Sequence, residues 1–254
     1  MIAVENRGAV AVIRLDHGKV HALDLELLDG LLASLDEVER SSARAVVVTG
    51  TGSVFSAGID LRRVLAGGGS YLAAFVPRLI TAFETLFSFP MPVVAAVNGA
   101  AVAGGCILAC ACDRRIVAEG SRIGASELVV GVPFPVAALE ILRWACGDAV
   151  EDVVLSGRLY EAHEALAVGL AHEVATPDGL VDRAVTVAGE LGGLAPAAFR
   201  LAKAQLRRPI VERIKADGPV VDPEVGALWS STETVAALSA QVEKLAAGRA
   251  RQPE

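Results

Sequence analysis

The chain has 254 residues, a length typical of one large domain or of one domain with an appendage. Its 23 Lys and Arg residues against 30 Asp and Glu residues give a net charge of −7. This charge excludes the broad positive surface with which proteins bind nucleic acids or anionic membranes. Hydrophobic residues make up 53% of the chain and aromatic residues 4%, so the composition excludes disorder and predicts a core of Ala, Val and Leu.

The first half of the chain alternates between predicted strands and predicted helices. The segments 45–49 and 92–97 are apolar runs without polar alternation, which is typical of strands covered on both faces. Asp24 has a side chain suited to a helix N-cap, and the three glycines at 67–69 predict a flexible hinge. The predicted elements are a strand at 9–15, a helix at 24–40, a strand at 45–49, a helix at 71–87, a strand at 92–97, a short helix that ends at Cys112, and a strand at 115–118.

The second half is mostly helical. Residues 217–223 (DGPVVDP) have the composition of a linker. The predicted elements are helices at 136–146, 148–155 and 161–168, a strand at 170–175, and helices at 178–192, 196–214 and 224–247. This order predicts one α/β core with a helical C-terminal extension.

The segment 85–112 carries no charged residue and is long enough for a membrane span. Pro90, Pro92 and the glycines at 104–105 interrupt it, so we expect a helix end, a buried strand, a turn and a short buried helix in a protein core. The N-terminal residues 1–5 (MIAVE) have neither a signal-peptide nor a transit-peptide pattern, and a cytoplasmic location is expected.

Two glycine turns between a strand and a helix are candidates for stabilising an anion. The segments 56–61 (SAGIDL) and 98–105 (NGAAVAGG) would each present free backbone N–H groups at a helix N-terminus, where the helix dipole favours negative charge. Two such donors that face one point form an oxyanion hole. Either turn by itself is a common connection, whereas the pair indicates such a site.

Glu127 lies in an otherwise apolar segment, 124–135 (GASELVVGVPFP). A desolvated carboxylate has a raised pKa, which suits proton transfer, whereas a Glu that faces solvent or caps the following turn would have no such role. The chain has no G-x-S-x-G motif, no P-loop and no dinucleotide-binding G-x-G-x-x-G motif. A nucleophilic triad, a metal site and a nucleotide cofactor are therefore not predicted.

Taken together, these segments resemble the enoyl-CoA hydratase/isomerase (crotonase) family. The similarity extends in register over about residues 8–205 and is weaker from about residue 224. It is carried by 17–23 (HGKVHAL), 55–61 (FSAGIDL), 92–99 (PVVAAVNG), 104–106 (GGC), 112–113 (CD), 155–158 (LSGR), 161–162 (EA) and 165–174 (ALAVGLAHEV).

The resemblance implies an α/β fold built as a spiral of ββα units. Residues 1–195 would form the core with the CoA-binding and active sites, and residues 196–254 a helical trimerisation region. It also implies a homotrimer or a hexamer that is a dimer of trimers. The implied partner is an acyl-CoA substrate, with CoA as part of the thioester, no separate cofactor or metal, and neither nucleic acid nor membrane.

The resemblance also implies a set of site residues. The oxyanion donors would be the backbone N–H groups of Ile59 and Gly104, Glu127 would transfer the proton, and Arg62 could meet a CoA phosphate. The expected substrate contacts are Lys19, Val20, Ala22, Ala57, Asp60, Leu61, Arg62, Ile107, Val132 and Phe134.

One departure from the family pattern bears on the reaction. Hydratases of the family carry two glutamates, and here Ile107 stands at the first position while Glu127 keeps the second. Water addition benefits from two carboxylates, whereas moving a double bond needs one base that removes a proton and returns it. The resemblance therefore favours 3-enoyl-CoA to 2-enoyl-CoA isomerisation, as in fatty acid metabolism.

Three alternatives to isomerisation stay open. They are an enoyl-CoA hydratase, which is a lyase, working with one carboxylate; other acyl-CoA chemistry; and a non-catalytic acyl-CoA-binding protein. A second departure is 132–135 (VPFP), which replaces the glycine-rich start of the next helix. Ile107 and Phe134 are expected to line the acyl pocket, which fits a medium or long unbranched chain.

Overall fold

The computed structural model describes residues 2–250, which form ten strands and nine α-helices. The strands are β1 (Ile2–Arg7), β2 (Val10–Leu15), β3 (Ala45–Gly50), β4 (Val54–Ser56), β5 (Val93–Val97), β6 (Ala100–Val102), β7 (Arg114–Ala118), β8 (Arg122–Gly124), β9 (Tyr160–Glu161) and β10 (Glu173–Ala175). The helices are α1 (Leu25–Glu39), α2 (Leu61–Phe87), α3 (Gly104–Ala111), α4 (Val136–Cys146), α5 (Val150–Ser156), α6 (Ala162–Ala167), α7 (Leu180–Gly192), α8 (Pro196–Trp229) and α9 (Thr232–Ala250). A 3₁₀ turn, Glu127–Val130, precedes α4.

The larger sheet has six strands in the order β1-β2-β3-β5-β7-β10. The β1–β2 pair is antiparallel and all other neighbours are parallel. Every residue of β3 and β5 is buried, which confirms the prediction from their unbroken apolar runs. Helix α7 covers one face of this sheet, while α1, α2 and α3 contribute to the larger core on the other face.

The smaller sheet has four strands in the order β4-β6-β8-β9. Its strands have only two or three residues each, and the sequence analysis did not predict them. Strands β4, β6 and β8 are parallel, so their carboxyl ends meet at one edge. The three segments that follow these strands carry Ile59, Gly104 and Glu127, and this sheet therefore brings the candidate catalytic residues together.

Helix α2 includes the glycines that were predicted as a hinge. Helical structure begins already at Leu61, and the break is confined to Gly68, whose φ of 54° and ψ of −148° kink the helix. Among the described helices, α2 is the one long and apolar enough by composition to cross a membrane. Its side chains at Leu72, Phe75 and Phe83 are buried in the larger hydrophobic core.

The predicted division of the uncharged segment 85–112 is confirmed. It forms the end of α2, the buried strand β5, the turn into β6 and the short helix α3. All eight residues of α3 are buried. The four cysteines are free and buried.

The predicted linker at 217–223 is wrong, because α8 continues through this segment to Trp229. Tertiary contacts outweigh the local proline and glycine signals: Ile214, Val225 and Trp229 are buried in the same core as the first half of the chain. Within the predicted linker, Asp222 accepts a hydrogen bond from the first backbone N–H of α4.

A buried ionic cluster attaches α8 to the core. Asp113 accepts hydrogen bonds from Lys203 Nζ at 2.8 Å, from Arg207 Nη2 at 2.7 Å and from the backbone N–H of Val93 at 2.7 Å. Arg207 also donates to the carbonyl of Phe87 and lies over its ring. Burial lowers the pKa of Lys203 to about 8, against the opposing effect of Asp113. Asp113 thus pairs with both buried cations, Lys203 and Arg207.

Candidate active site

The segments after β4 and β6 are in direct contact. Gly58 has a φ of +81°, and a Cβ placed on it would lie 2.7 Å from the carbonyl oxygen of Val102 and 3.2 Å from the backbone nitrogen of Gly104. Both the conformation and the lack of space require glycine at position 58. This close approach places the peptide before Ile59 beside the start of α3.

Two backbone N–H groups at this contact are free. Gly58 O accepts from Leu23 N at 2.7 Å and Asp60 N donates to Leu23 O at 3.0 Å, which leaves the N–H of Ile59 between them without an acceptor in the described part of the chain. Gly104 is the first residue of α3, and its N–H likewise has no acceptor among residues 2–250. First-turn N–H groups of a helix have no intrahelical acceptor, which makes them available to a ligand.

Ala103 is held in an unusual conformation immediately before Gly104. Its φ of 52° and ψ of −124° lie where residues other than glycine are rarely found. Its N–H donates to Gly124 O at 2.9 Å, which fastens it to the end of β8. Such strain costs about 1–3 kcal/mol and concentrates at functional sites. The sequence analysis missed this residue, because nothing in an alanine signals a positive φ.

Glu127 begins the 3₁₀ turn after β8 and is only 4% exposed. Its Oε2 has no hydrogen-bond partner among the described residues. Burial raises the pKa of this carboxyl to about 8, although the residue's own backbone N–H works in the opposite direction. The predicted desolvation of Glu127 is therefore confirmed, and the carboxyl has a pKa in the range useful for proton transfer.

A cavity of about 660 Å³ joins these features. Ten of the thirteen residues predicted for the site line it: Lys19, Val20, Ala22, Ala57, Ile59, Asp60, Leu61, Arg62, Glu127 and Val132. Of the remaining three, Gly104 directly follows Ala103, which is part of the lining. The predicted carboxylate and the predicted segments of the CoA path thus face one space.

Ile107 and Phe134 are not part of this lining. Ile107 is 2% exposed and Phe134 is 7% exposed, and both belong to the larger hydrophobic core. Ile107 lies on α3, whose residues are all buried. Contact of these two side chains with an acyl chain stays a prediction.

The polar end of the cavity contains a network that the sequence analysis did not predict. Asp24 caps α1 as expected, accepting from Leu27 N at 2.8 Å. Its other carboxylate oxygen contacts His17 Nε2 at 2.6 Å and Arg63 Nε at 3.3 Å. His17, Arg63 and Asp24 all line the cavity. The N-cap pattern revealed Asp24, but its partners could not be read from the sequence because one of them lies on another helix.

Glu127 differs from the other cavity carboxylates in having an unpartnered oxygen. Both carboxylate oxygens of Asp24 have partners: one accepts from the N-terminus of α1, and the other contacts His17 and Arg63. Asp60 accepts from the backbone N–H groups of Arg62 and Arg63 at 3.0 and 3.1 Å, as the N-cap of α2. Among the described lining residues, Glu127 is thus the carboxylate available to a reacting group.

The C-terminal helices also contribute to the lining of the cavity. Trp229, at the end of α8, and three residues of α9 complete the lining: Gln241, Val242 and Leu245. No motif in the sequence marks these residues. Only the return of α9 over the core shows that they belong to the site.

The chain is similar to known proteins over most of its length. The family model described as enoyl-CoA hydratase/isomerase matches residues 5–244. A Thermus thermophilus protein with the provisional name enoyl-CoA hydratase is 39% identical over 208 residues, which are 80% of this chain and 82% of that protein. Human mitochondrial enoyl-CoA delta isomerase 1 is 31% identical over 210 residues, which are 81% of this chain and 70% of that protein.

Solved structures show the same fold over nearly the whole chain. The crystal structure of the human mitochondrial delta3-delta2-enoyl-CoA isomerase is 28% identical, has a TM-score of 0.93, and covers 97% of this chain and 98% of its own. This similarity confirms the predicted crotonase fold with C-terminal helices. The chain belongs to the enoyl-CoA hydratase/isomerase family of enzymes.

Proposed function

We propose that this enzyme moves the double bond of a 3-enoyl-CoA to give the 2-enoyl-CoA, with Glu127 as the only proton carrier. The observation that carries the proposal is that Glu127 is the carboxylate with a buried, unpartnered oxygen among the described residues that line the cavity. Oε2 of Glu127 lacks a hydrogen-bond partner within the described part of the chain. Asp24 and Asp60, in contrast, accept hydrogen bonds as helix N-caps and pair with cationic side chains. Ile107, at the position of the first glutamate of the hydratases, supplies no carboxylate to activate water.

The proposed reaction consists of two proton transfers. The Glu127 carboxylate removes a proton from C2 of the 3-enoyl thioester, and the electron pair spreads over the dienolate to the thioester oxygen. The N–H groups of Ile59 and Gly104 donate to that oxygen and stabilise its charge. Glu127 then returns the proton to C4, which leaves the double bond between C2 and C3. No water is added, and no electron donor or acceptor is needed.

The loop and helix segments at the polar end are proposed to hold the CoA part. Lys19, Val20, Ala22, Ala57 and residues 60–62 line the cavity together with Ile59 and are assigned to the adenine and pantetheine path, with Arg62 on a phosphate. The proposal needs no cofactor other than the CoA of the substrate. A cytoplasmic location and a homotrimer or a dimer of trimers complete it.

Hydration is the second candidate reaction. The similarity to the Thermus thermophilus protein with a hydratase name supports it, while the single carboxylate and the similarity to the human isomerase support isomerisation. One carboxylate would then have to activate water and protonate the other carbon.

A paired assay distinguishes the two reactions. Purified enzyme is incubated with 3-hexenoyl-CoA or with 2-hexenoyl-CoA in heavy-oxygen water, and the products are identified by mass spectrometry. We expect the 3-enoyl substrate to become 2-hexenoyl-CoA without heavy oxygen. Labelled 3-hydroxyhexanoyl-CoA would contradict the proposal in favour of hydration, and no product from either substrate would point to different acyl-CoA chemistry or to binding alone.

The activity should increase with pH in the range where Glu127 ionises. Because burial raises its pKa to about 8, most molecules of the free enzyme hold the carboxyl in its protonated form below that pH, where it cannot act as a base. We expect kcat/KM for 3-hexenoyl-CoA to increase about tenfold per pH unit below pH 7 and to level off above pH 8 to 9. A profile that is flat over this range, measured with enzyme of verified stability, would contradict Glu127 as the base.

A further inference from the structure

Residues 131–135, which follow the turn with Glu127, have few local interactions that fix their conformation. Gly131 ends the 3₁₀ turn in a left-handed conformation, with a φ of 70°. Helix α4 then starts after Pro135 without a side-chain cap from its own N-terminal residues. Residues 131–135 therefore depend on other parts of the chain for their position.

The C-terminal helices make two hydrogen bonds to this segment and a third to the residue that follows it. Thr234 Oγ1 on α9 donates to Gly131 O at 3.1 Å. Trp229 Nε1 at the end of α8 donates to Pro133 O at 3.1 Å. Val136 N donates to Asp222 Oδ1 at 2.9 Å, so an α8 carboxylate caps α4 from outside. Thr234 and Trp229 are buried, which shields their hydrogen bonds from water.

The segment is in turn bonded to the turn that carries the base. Val132 N donates to Glu127 O at 3.0 Å, and Gly131 N donates to Leu128 O at 3.2 Å. Trp229 also lines the cavity together with Glu127. A shift of residues 131–133 would therefore disturb the Glu127 backbone and the lining of the cavity that Trp229 and Glu127 share.

We propose that Trp229 and Thr234 are positioning residues, which hold the Glu127 turn in place and exclude water from its carboxyl. The inference rests on the proposed function only in taking Glu127 as the base. It gives the C-terminal helical region a role in positioning the base, because both residues lie beyond residue 195. The pKa of the buried Cys106 thiol on α3 is raised by its contact with Cys110, by burial and, to a smaller extent, by Glu127, and the variants below leave this thiol unchanged.

Two conservative variants test the proposal. W229F removes the indole N–H but keeps an aromatic ring, and T234V removes the hydroxyl at nearly constant volume. Each loses one buried hydrogen bond, for which we expect a decrease in kcat of about tenfold with KM within about twofold. S239A is the matched control: its hydroxyl lies on the exposed side of α9 and donates only to Val235 O in the same helix. Its kcat should stay unchanged.

A second measurement is independent of turnover. The Glu127 carboxyl carbon is followed by ¹³C NMR over pH in wild type, W229F, T234V and S239A, with the resonance assigned by its loss in E127Q. Water beside the carboxyl favours its ionised form, so we expect its pKa to fall by about one unit in W229F and T234V, and to stay constant in S239A.

The two measurements distinguish a failure of the proposed function from a failure of the proposed positioning role. If wild type does not isomerise 3-hexenoyl-CoA, the proposed function fails, while the carboxyl titration still decides the positioning role. An unchanged carboxyl pKa in both W229F and T234V overturns the inference whatever the activity. A decrease in kcat with an equal increase in KM, at an unchanged pKa of the Glu127 carboxyl, would also overturn the inference. Such a result would show a general structural effect.

Discussion

Replacing Glu127 with Gln should lower kcat for the isomerisation of 3-hexenoyl-CoA by about 10²–10⁴-fold, the usual contribution of a positioned acid–base group. The amide keeps the shape of the side chain but cannot accept the C2 proton. Because Glu127 is buried and glutamine fills the same space, KM should change far less than kcat. The measurement is steady-state turnover with product analysis by mass spectrometry.

The same variant should be more stable than wild type, and increasingly so at higher pH. The folded-state pKa of about 8 lies above the ordinary value of 4.5, so the folded protein binds more protons than the unfolded chain between these two values. The stability of wild type therefore falls as pH rises through this range, by up to about 1.4 kcal/mol per pH unit, whereas E127Q has no such loss. Urea unfolding at pH 5 and pH 8 measures the difference.

E37Q is the matched control, because Glu37 is exposed on α1. It should leave both turnover and stability unchanged. A Glu127 variant with wild-type turnover would remove this residue from any catalytic role. A stability difference between E127Q and wild type that is equal at pH 5 and pH 8 would show that the carboxyl is not held in its protonated form by burial.

Replacing Asp113 with Ala should lower the free energy of unfolding by about 3–5 kcal/mol, the usual effect of removing one partner from a buried ion pair. The substitution leaves Lys203 and Arg207 buried without their shared carboxylate and removes the acceptor of the Val93 N–H. It also weakens the attachment of α8, on which Trp229 lies. Urea unfolding followed by far-UV circular dichroism measures the loss.

D36A provides the comparison at the surface. Asp36 pairs with Arg40 one turn along α1, and both side chains are exposed. Its removal should change the free energy of unfolding by no more than about 0.5 kcal/mol. If D113A cost no more than D36A, the cluster would not be a structural attachment for α8.

Elements with a strong local pattern could be predicted from the sequence. The apolar runs of β3 and β5 indicated doubly buried strands, and Asp24 was recognised as a helix cap. The three-residue strands β4, β6 and β8 are too short for any periodicity to show. The linker predicted at 217–223 failed for the opposite reason: its strong local signals are overridden by the packing of α8 on the core.

The amino-acid sequence by itself determined the chemical groups of the site and their family: the two glycine turns, Glu127, and an isoleucine in place of a second carboxylate. Only the tertiary structure decided that Glu127 is buried with a free oxygen, that Asp24 and Asp60 are occupied, and that Trp229 and α9 close the cavity. The physical reason is that desolvation and hydrogen-bond partnership depend on atoms far apart in the chain. Gly131 and Thr234, for example, are bonded across 103 positions, and no local pattern records such a pair.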